Sequence, residues 1–173
     1  MKIIYVHHGL RDRGNPPSDN DGLLELGNKD AEIVAEIFLM AKNKGQNIKA
    51  IYTSPFRRCK ETAGIINRHL NIPIIDEPRF NEFKGADNGE KWVDCLSRIQ
   101  DGIYDIVKSS DESDTAVCVT SGVNISAFIS LAYGVPISEN IPFPVVPSCS
   151  PIGFEIDENC FLKKRGNYEK KTI

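Results

Sequence analysis

The sequence predicts an α/β fold, a three-layer α/β/α sandwich around a largely parallel sheet. Two observations carry this expectation. Short apolar runs rich in β-branched residues alternate along the chain with longer stretches whose apolar residues recur at helical spacing. No repeat, low-complexity block or linker interrupts the 173 residues, so 1–173 is read as a single domain.

Lys2–Val6 is a compact apolar run that ends in Gly9, the pattern of a buried strand breaking into a loop. Gly, Pro, Asn and Asp dominate Gly9–Gly22, which reads as irregular and exposed. From Gly27 to Lys44, Ala31, Val34, Ala35, Phe38 and Leu39 keep helical spacing, and Gly45 is a natural C-cap. Ala50–Thr53 is a second strand. Ser54 then reads as an N-cap with Pro55 at the first helical position, and the helix runs on through Thr62, Ala63, Ile66 and Leu70.

Ile72–Ile75 contains a proline that cannot donate to a ladder, so it is placed as a short edge strand. A linker with Phe80-Asn81-Glu82-Phe83-Lys84-Gly85 leads to a helix over Glu90–Val107, with Trp92, Leu96, Ile99, Ile103 and Val107 facing the core. Thr115–Val119 is a strand buried on both faces. Thr120-Ser121-Gly122 follows it, then a helix through Ala127, Phe128 and Leu131. After a proline-rich connection, Ile152–Ile156 and Cys160–Leu162 are expected to form a hairpin around an Asp-Glu-Asn turn. Lys163, Lys164, Arg165, Lys170 and Lys171 read as a solvated tail.

Composition narrows the function classes. A net charge of −3 offers no electrostatic reason for nucleic acid or an acidic membrane as a partner. The longest apolar run falls far short of the ~20 residues needed to span a bilayer. The apolar stretch Ile3–Val6 lacks the pattern of a signal peptide. The five cysteines, Cys59, Cys95, Cys118, Cys149 and Cys160, are dispersed without metal spacing and read as free thiols. The expected compartment is the cytoplasm. Oligomeric state is not legible at this stage.

Ligands of open α/β sheets bind at the carboxyl ends of the strands. Three such ends carry polar groups here: His7-His8-Gly9, Ser54-Pro55-Phe56-Arg57-Arg58 and Thr120-Ser121-Gly122. Arg58 falls in the first turn of its helix, where backbone N–H groups and a guanidinium together suit a phosphate. Gly9 and Gly122 would let the backbone approach a ligand closely. The His7-His8 pair is a poor metal site, since neighbours on a strand point to opposite faces and no further histidine is placed to complete the sphere. His69 and Arg57 read as helix-surface residues, and Trp92 as core.

In this order the motifs resemble the histidine phosphatase superfamily, the phosphoglycerate mutase-like proteins. The family's Arg-His-Gly signature is matched by His7-His8-Gly9, and its Leu-Thr-x-x-Gly element loosely by Leu23-Leu24-Glu25-Leu26-Gly27. The Ser-Pro-Leu-x-Arg-Ala-x-x-Thr-Ala signature is matched well by Ser54–Ala63, and Leu-x-Glu followed by glycine by Phe80-Asn81-Glu82 and Gly85. The resemblance covers Ile3 to about Leu131 and implies a phosphoglycerate mutase-like fold.

The resemblance also implies a mechanism. His8 is the nucleophile that becomes phosphohistidine, Glu82 the acid and then the base, and Arg58 the stabiliser of the transferring oxygens. His7, Arg58, Ser121, Gly122 and Arg11 are expected around the phosphate, with Arg13 as a further cation. No cofactor and no metal enter this reading. The implied partner is a phosphorylated small molecule or a phosphoprotein.

Two positions depart from the pattern. His7 stands where the family has arginine, and Ser121 falls on its second catalytic histidine. His8, Arg58 and Glu82 together imply a phosphohydrolase, rather than a mutase, whose reaction needs a well-enclosed and strongly cationic phosphate site. The alternative is a degenerate member that binds a phosphorylated ligand or protein without turnover. If His7 substitutes for the arginine, its charged form should favour phosphate and turnover should peak on the acidic side of neutrality.

Overall fold

A computed structural model describes residues 1–14, 18–132 and 145–156. In chain order the elements are β1 (Lys2–His7), α1 (Glu25–Asn43), β2 (Asn47–Thr53), α2 (Arg57–Leu70), β3 (Ile74–Asp76), α3 (Trp92–Lys108), β4 (Asp114–Thr120), α4 (Gly122–Ala132) and β5 (Pro151–Glu155). The strands form one sheet in the order β3-β2-β4-β1-β5. The first four run parallel, and β5 lies antiparallel against the outer edge of β1.

Alternation along β1 divides the core into two layers. Ile3 and Tyr5 pack with Ile99, Ile103, Ile125 and Phe128 of α3 and α4. Ile4 and Val6 pack with Val34, Phe38, Ala63 and Ile66 of α1 and α2 on the other face. β4 is buried along its whole length, as its apolar run requires. The α/β/α sandwich and the parallel sheet are those expected.

Element boundaries differ where polar side chains pin the chain. β2 begins at Asn47 rather than Ala50, because the Asn47 amide donates to Asp114 (2.7 Å) and the Gln46 amide to Thr115 (3.2 Å). α2 begins at Arg57 with Phe56 at its N-cap, so the expected cap at Ser54 is not formed. Ser54 Oγ donates instead to Asn81 at 2.8 Å. Trp92 opens α3 half-buried, its ring stacked on Phe83 at 3.7 Å, and is not a core residue. β3 is an edge strand, shifted to Ile74–Asp76. The predicted strand Cys160–Leu162 and the basic tail lie outside the described residues.

Candidate active site

The register of β1 on β4 pairs His7 with Thr120, and that of β2 on β4 pairs Thr53 with Val119. The three polar strand ends therefore meet at one edge. The ladder continues one residue further, with the His8 N–H donating to Thr120 O (3.0 Å) and the Ser54 N–H to Val119 O (3.0 Å). This places the His8 ring inside the edge, at 6% exposure.

His8 Nδ1 lies 2.8 Å from Gly9 O. A carbonyl only accepts, so Nδ1 carries the proton and Nε2 keeps its lone pair. Nε2 faces Arg58, whose Nε donates to it at 3.2 Å. The guanidinium is 1% exposed, lies over the Phe56 ring at 4.7 Å, and donates through Nη2 to Glu82 Oε2 at 2.6 Å. Thr62 joins the two halves of this unit. Its hydroxyl donates to Arg58 O (2.8 Å) and accepts from the Gly9 N–H (2.9 Å).

Glu82 is held by a residue that the sequence reading missed. Asn124, buried in α4, donates through Nδ2 to Asn81 O (2.9 Å) and Phe80 O (3.2 Å), and accepts at Oδ1 from the Phe83 N–H (3.2 Å). Thr120 Oγ1 also donates to Phe80 O at 2.6 Å. The loop bearing Glu82 is thus bolted to β4 and α4 on both sides of the carboxylate. Asn124→Ala should strand these buried groups and cost ~2 kcal/mol of stability. Chemical denaturation measures this, and an unchanged midpoint would mean that the loop holds itself in place.

His7, His8, Arg11, Arg13, Glu82 and Gly122 line one cleft of ≈ 300 Å³, walled elsewhere by Leu10, Val123 and Val146. Of the expected site residues, Arg58 lies beneath this cleft and reaches it through His8 and Glu82. Ser121 does not line it: the side chain is 2% exposed and its Oγ accepts from the Asn124 N–H (3.4 Å), capping α4. Arg11 lines the cleft while paired to Asp21 at 3.0 Å. Arg57 is exposed and folded onto Glu61 (2.7 Å), and His69 lies beside Glu32 and Glu36 (3.5 and 3.7 Å), away from the cleft.

Two local expectations are corrected. The histidine rings do not point to opposite faces. β1 ends at His7, strand alternation stops there, and the rings lie 4.5 Å apart at 71°. Nor are the two glycines open to a ligand on their missing side-chain side. A methyl on Gly9 would come 2.6 Å from Gly27 O, and one on Gly122 2.8 Å from the His7 ring. His7 therefore reaches across to the β4 end, with Nδ1 2.8 Å from Val146 O.

Burial sets the protonation of both rings. It pushes His8 down to about 3, with the charges of His7 and Arg58 adding to the effect and the Gly9 carbonyl opposing it. Burial also lowers His7, against the Val146 and Pro147 carbonyls. His7 is therefore neutral at pH 7, and a turnover that needs its charged form would peak further to the acid side than an unperturbed imidazole implies. Both groups are lowered relative to an unfolded value near ~6.5, so the unfolded chain takes up protons that the folded chain refuses. Stability is full above that value and falls as pH drops towards about 3. At pH 4.5 the loss from His8 should be ~2 kcal/mol relative to pH 7. Denaturant midpoints at the two pH values test this: the difference should shrink in His8→Asn and would be the same in both proteins if His8 were not the cause.

Residues 10–87 match the family model of the histidine phosphatase superfamily (branch 1), a segment that starts two residues after His8 and includes Arg58 and Glu82. PhoE of Bacillus subtilis (strain 168), an uncharacterized phosphatase, is 33% identical over 78 residues, 42% of this chain and 40% of that protein. A 2,3-bisphosphoglycerate-dependent phosphoglycerate mutase of Thermoplasma acidophilum is 33% identical over 111 residues, 60% of this chain and 51% of that protein. The chain thus spans about half or less of these two relatives.

Among solved structures, a mycobacterial glucosyl-3-phosphoglycerate phosphatase in complex with VO3 superposes with a TM-score of 0.75 at 17% identity, covering 94% of this chain and 96% of that one. The protein histidine phosphatase SixA, complexed with tungstate, gives 0.69 at 13% identity, covering 94% and 93%. At these identities the likeness establishes a shared fold.

Proposed function

We propose that this chain, which belongs to the histidine phosphatase superfamily, is a phosphohydrolase that acts through a phosphohistidine at His8. One observation carries the reading: a neutral imidazole, its proton fixed on Nδ1 by Gly9 O, holds its Nε2 lone pair beside a buried guanidinium that also binds Glu82. A phosphate entering the cleft takes over the Arg58 donors from Nε2 and Glu82. Nε2 then attacks phosphorus, and the bond from phosphorus to the ester oxygen breaks. That oxygen takes, through Glu82, the proton that the monoanionic ester has given to the carboxylate on entering. Water next attacks phosphorus, Glu82 takes the proton, the N–P bond breaks, and His8 returns to its neutral form. Arg58, with Arg11 and Arg13 from the cleft wall, stabilises the charge on the transferring oxygens. The substrate is a phosphorylated small molecule or a phosphoprotein, met in the cytoplasm. No helix among the described residues is long and apolar enough to cross a membrane.

A second reading, a non-catalytic binder of a phosphorylated ligand or protein, is favoured by Ser121, which caps α4 at the position where the family pattern has its second histidine. The two readings separate in one experiment. The wild-type protein incubated with p-nitrophenyl phosphate should release p-nitrophenol and, after rapid quenching, carry an acid-labile phosphate. Bound phosphate with neither signal would establish the binder.

The pocket should also be open to repair. Ser121 is buried as the cap of α4 and the His7 ring packs on Gly122, so His7→Arg and Ser121→His are made together. The double variant should gain ~10-fold or more in turnover, equivalent to ~1.4 kcal/mol of barrier. No gain would mean that Arg11 and Arg13 already fill the gap. Glu82→Gln, which removes the carboxylate competing for Arg58, should tighten inorganic phosphate by ~5-fold. Calorimetric titration measures this, and weaker binding would show that Glu82 helps to hold the anion.

A further inference from the structure

Helix α1 packs its Ala31, Val34, Ala35 and Phe38 face onto the sheet and α2, yet a second apolar stripe faces away from them. Leu26, Ile33, Ile37 and Met40 are 56%, 62%, 47% and 57% exposed. Their spacing of seven, four and three residues aligns them along one side of the helix, as in a coiled-coil seam. A solvated helix face has no use for four large apolar side chains in register, whereas scattered ones would need no explanation.

We propose that this stripe is a self-association surface, on which α1 pairs antiparallel with α1 of a second copy of the chain about a two-fold axis at Ile33. The occupant follows from three features of the helix itself. Leu26 and Met40 stand seven residues on either side of Ile33, so a two-fold there sets Leu26 of each copy against Met40 of the other. Met40 belongs to a hollow formed with Ile37, Ala41, Lys44 and Gln46, of which Ile37, Met40, Ala41 and Lys44 have the i, i+3, i+4, i+7 spacing of a coiled-coil hole. Leu26 of the partner copy is the knob that fits it.

Charge then agrees with the same register. With a rise of ~1.5 Å per residue, Lys29 lies ~6 Å to one side of the axis and Glu36 ~4.5 Å to the other. The two-fold brings Lys29 of one copy level with Glu36 of the other, on the same flank of the seam, twice per dimer. Lys29 and Glu36 are both exposed, and Lys29 now pairs within its own helix to Glu25 at 2.7 Å. A pair centred two residues later would instead oppose the two Glu36 carboxylates.

A helix pair of this length buries ~1,000 Å² in all, the low end for a specific interface, so the dimer is a weak one with a Kd of ~10–100 µM. The surface lies on α1 and stands independently of the catalytic reading.

Sedimentation velocity across that concentration range should show a reversible monomer–dimer equilibrium. Ile33→Glu should weaken it by ~10-fold or more while circular dichroism and phosphatase activity stay as in wild type. Lys29→Glu should weaken it less, and Lys29→Glu with Glu36→Lys should restore it, which no loss of folding could imitate. Ile33→Cys, placed at the axis, should cross-link to itself under mild oxidation, whereas wild type should not. A protein monomeric throughout the range, a dimer indifferent to Ile33→Glu, or a charge swap without rescue would each overturn the proposal.

Discussion

His8→Ala is expected to lower kcat/KM for p-nitrophenyl phosphate by ~10³-fold or more and to abolish the acid-labile phospho-protein. The size of the effect follows from its place in the pocket. Nδ1 is committed to Gly9 O, so the ring cannot rotate or change tautomer without losing a buried hydrogen bond. Burial keeps it uncharged far below neutrality, so essentially all molecules hold a nucleophilic form at pH 7. His7 is the nearest alternative, but its Nδ1 is turned to Val146 O and its ring packs on Gly122. The loss should fall on kcat, because Arg58 and Glu82 remain to meet the phosphate. It is separate from any change in stability: the ring's buried bonds to Gly9 O and Arg58 are lost with it at a cost of ~1–3 kcal/mol, so activity is compared well below the variant's melting temperature. Retained turnover in His8→Ala would exclude phosphohistidine at this position and turn attention to His7.

The fold and the centre of the site were legible in the sequence for different reasons. Elements followed from periodicity, because β1, β4, α1 and α3 each bury one face or both, and burial writes itself into the apolar pattern. His8 and Arg58 followed from the rule that ligands gather at strand ends, and Glu82 from its place in the family motif. What failed to show were positions whose role depends on a distant partner. Asn124 looks like any polar helix residue until α4 is laid beside the Phe80–Phe83 loop. Thr62 reads as helix filler until its hydroxyl is seen bridging Arg58 O and the Gly9 N–H. Ser54 was misread as a cap because its preference for that role is local, whereas its bond to Asn81 is not. The face taken by His8 was misjudged because strand alternation was carried one residue too far.

These contacts make the candidate site a product of three chain segments that each fix another. Gly9 holds His8 by its carbonyl and Thr62 by its N–H, Thr62 holds Arg58, and Arg58 joins His8 to Glu82. A mutation at any one of them is therefore expected to move more than one functional group, and double variants within the unit should be non-additive.

The loosest part of the family match, Leu23–Gly27, hides the strictest steric demand. A methyl on Gly27 would come 2.2 Å from Leu10 O and 2.7 Å from Leu10 N. Both are backbone atoms, so no rotamer change relieves the contact. The Leu10 carbonyl is further tied down by the Leu24 N–H at 2.9 Å, and Gly9 fits against Gly27 O from the other side. Gly27→Ala must therefore either tilt the first turn of α1 or push the Gly9–Arg11 segment outward, taking with it the carbonyl that orients His8. The expected cost is ~3 kcal/mol, which for a domain of this size lowers the melting temperature by ~10 °C, together with a loss of turnover. Gly64→Ala supplies the opposite sign. That glycine lies inside α2, where an added methyl meets nothing within 4 Å, and the better helix former should add ~0.5–1 kcal/mol. Thermal melts of the two variants against wild type, with activity measured on the same samples, decide the matter. If Gly27→Ala melts with wild type, the Leu10 backbone yields to a methyl, and the match at Gly27 has no steric cause.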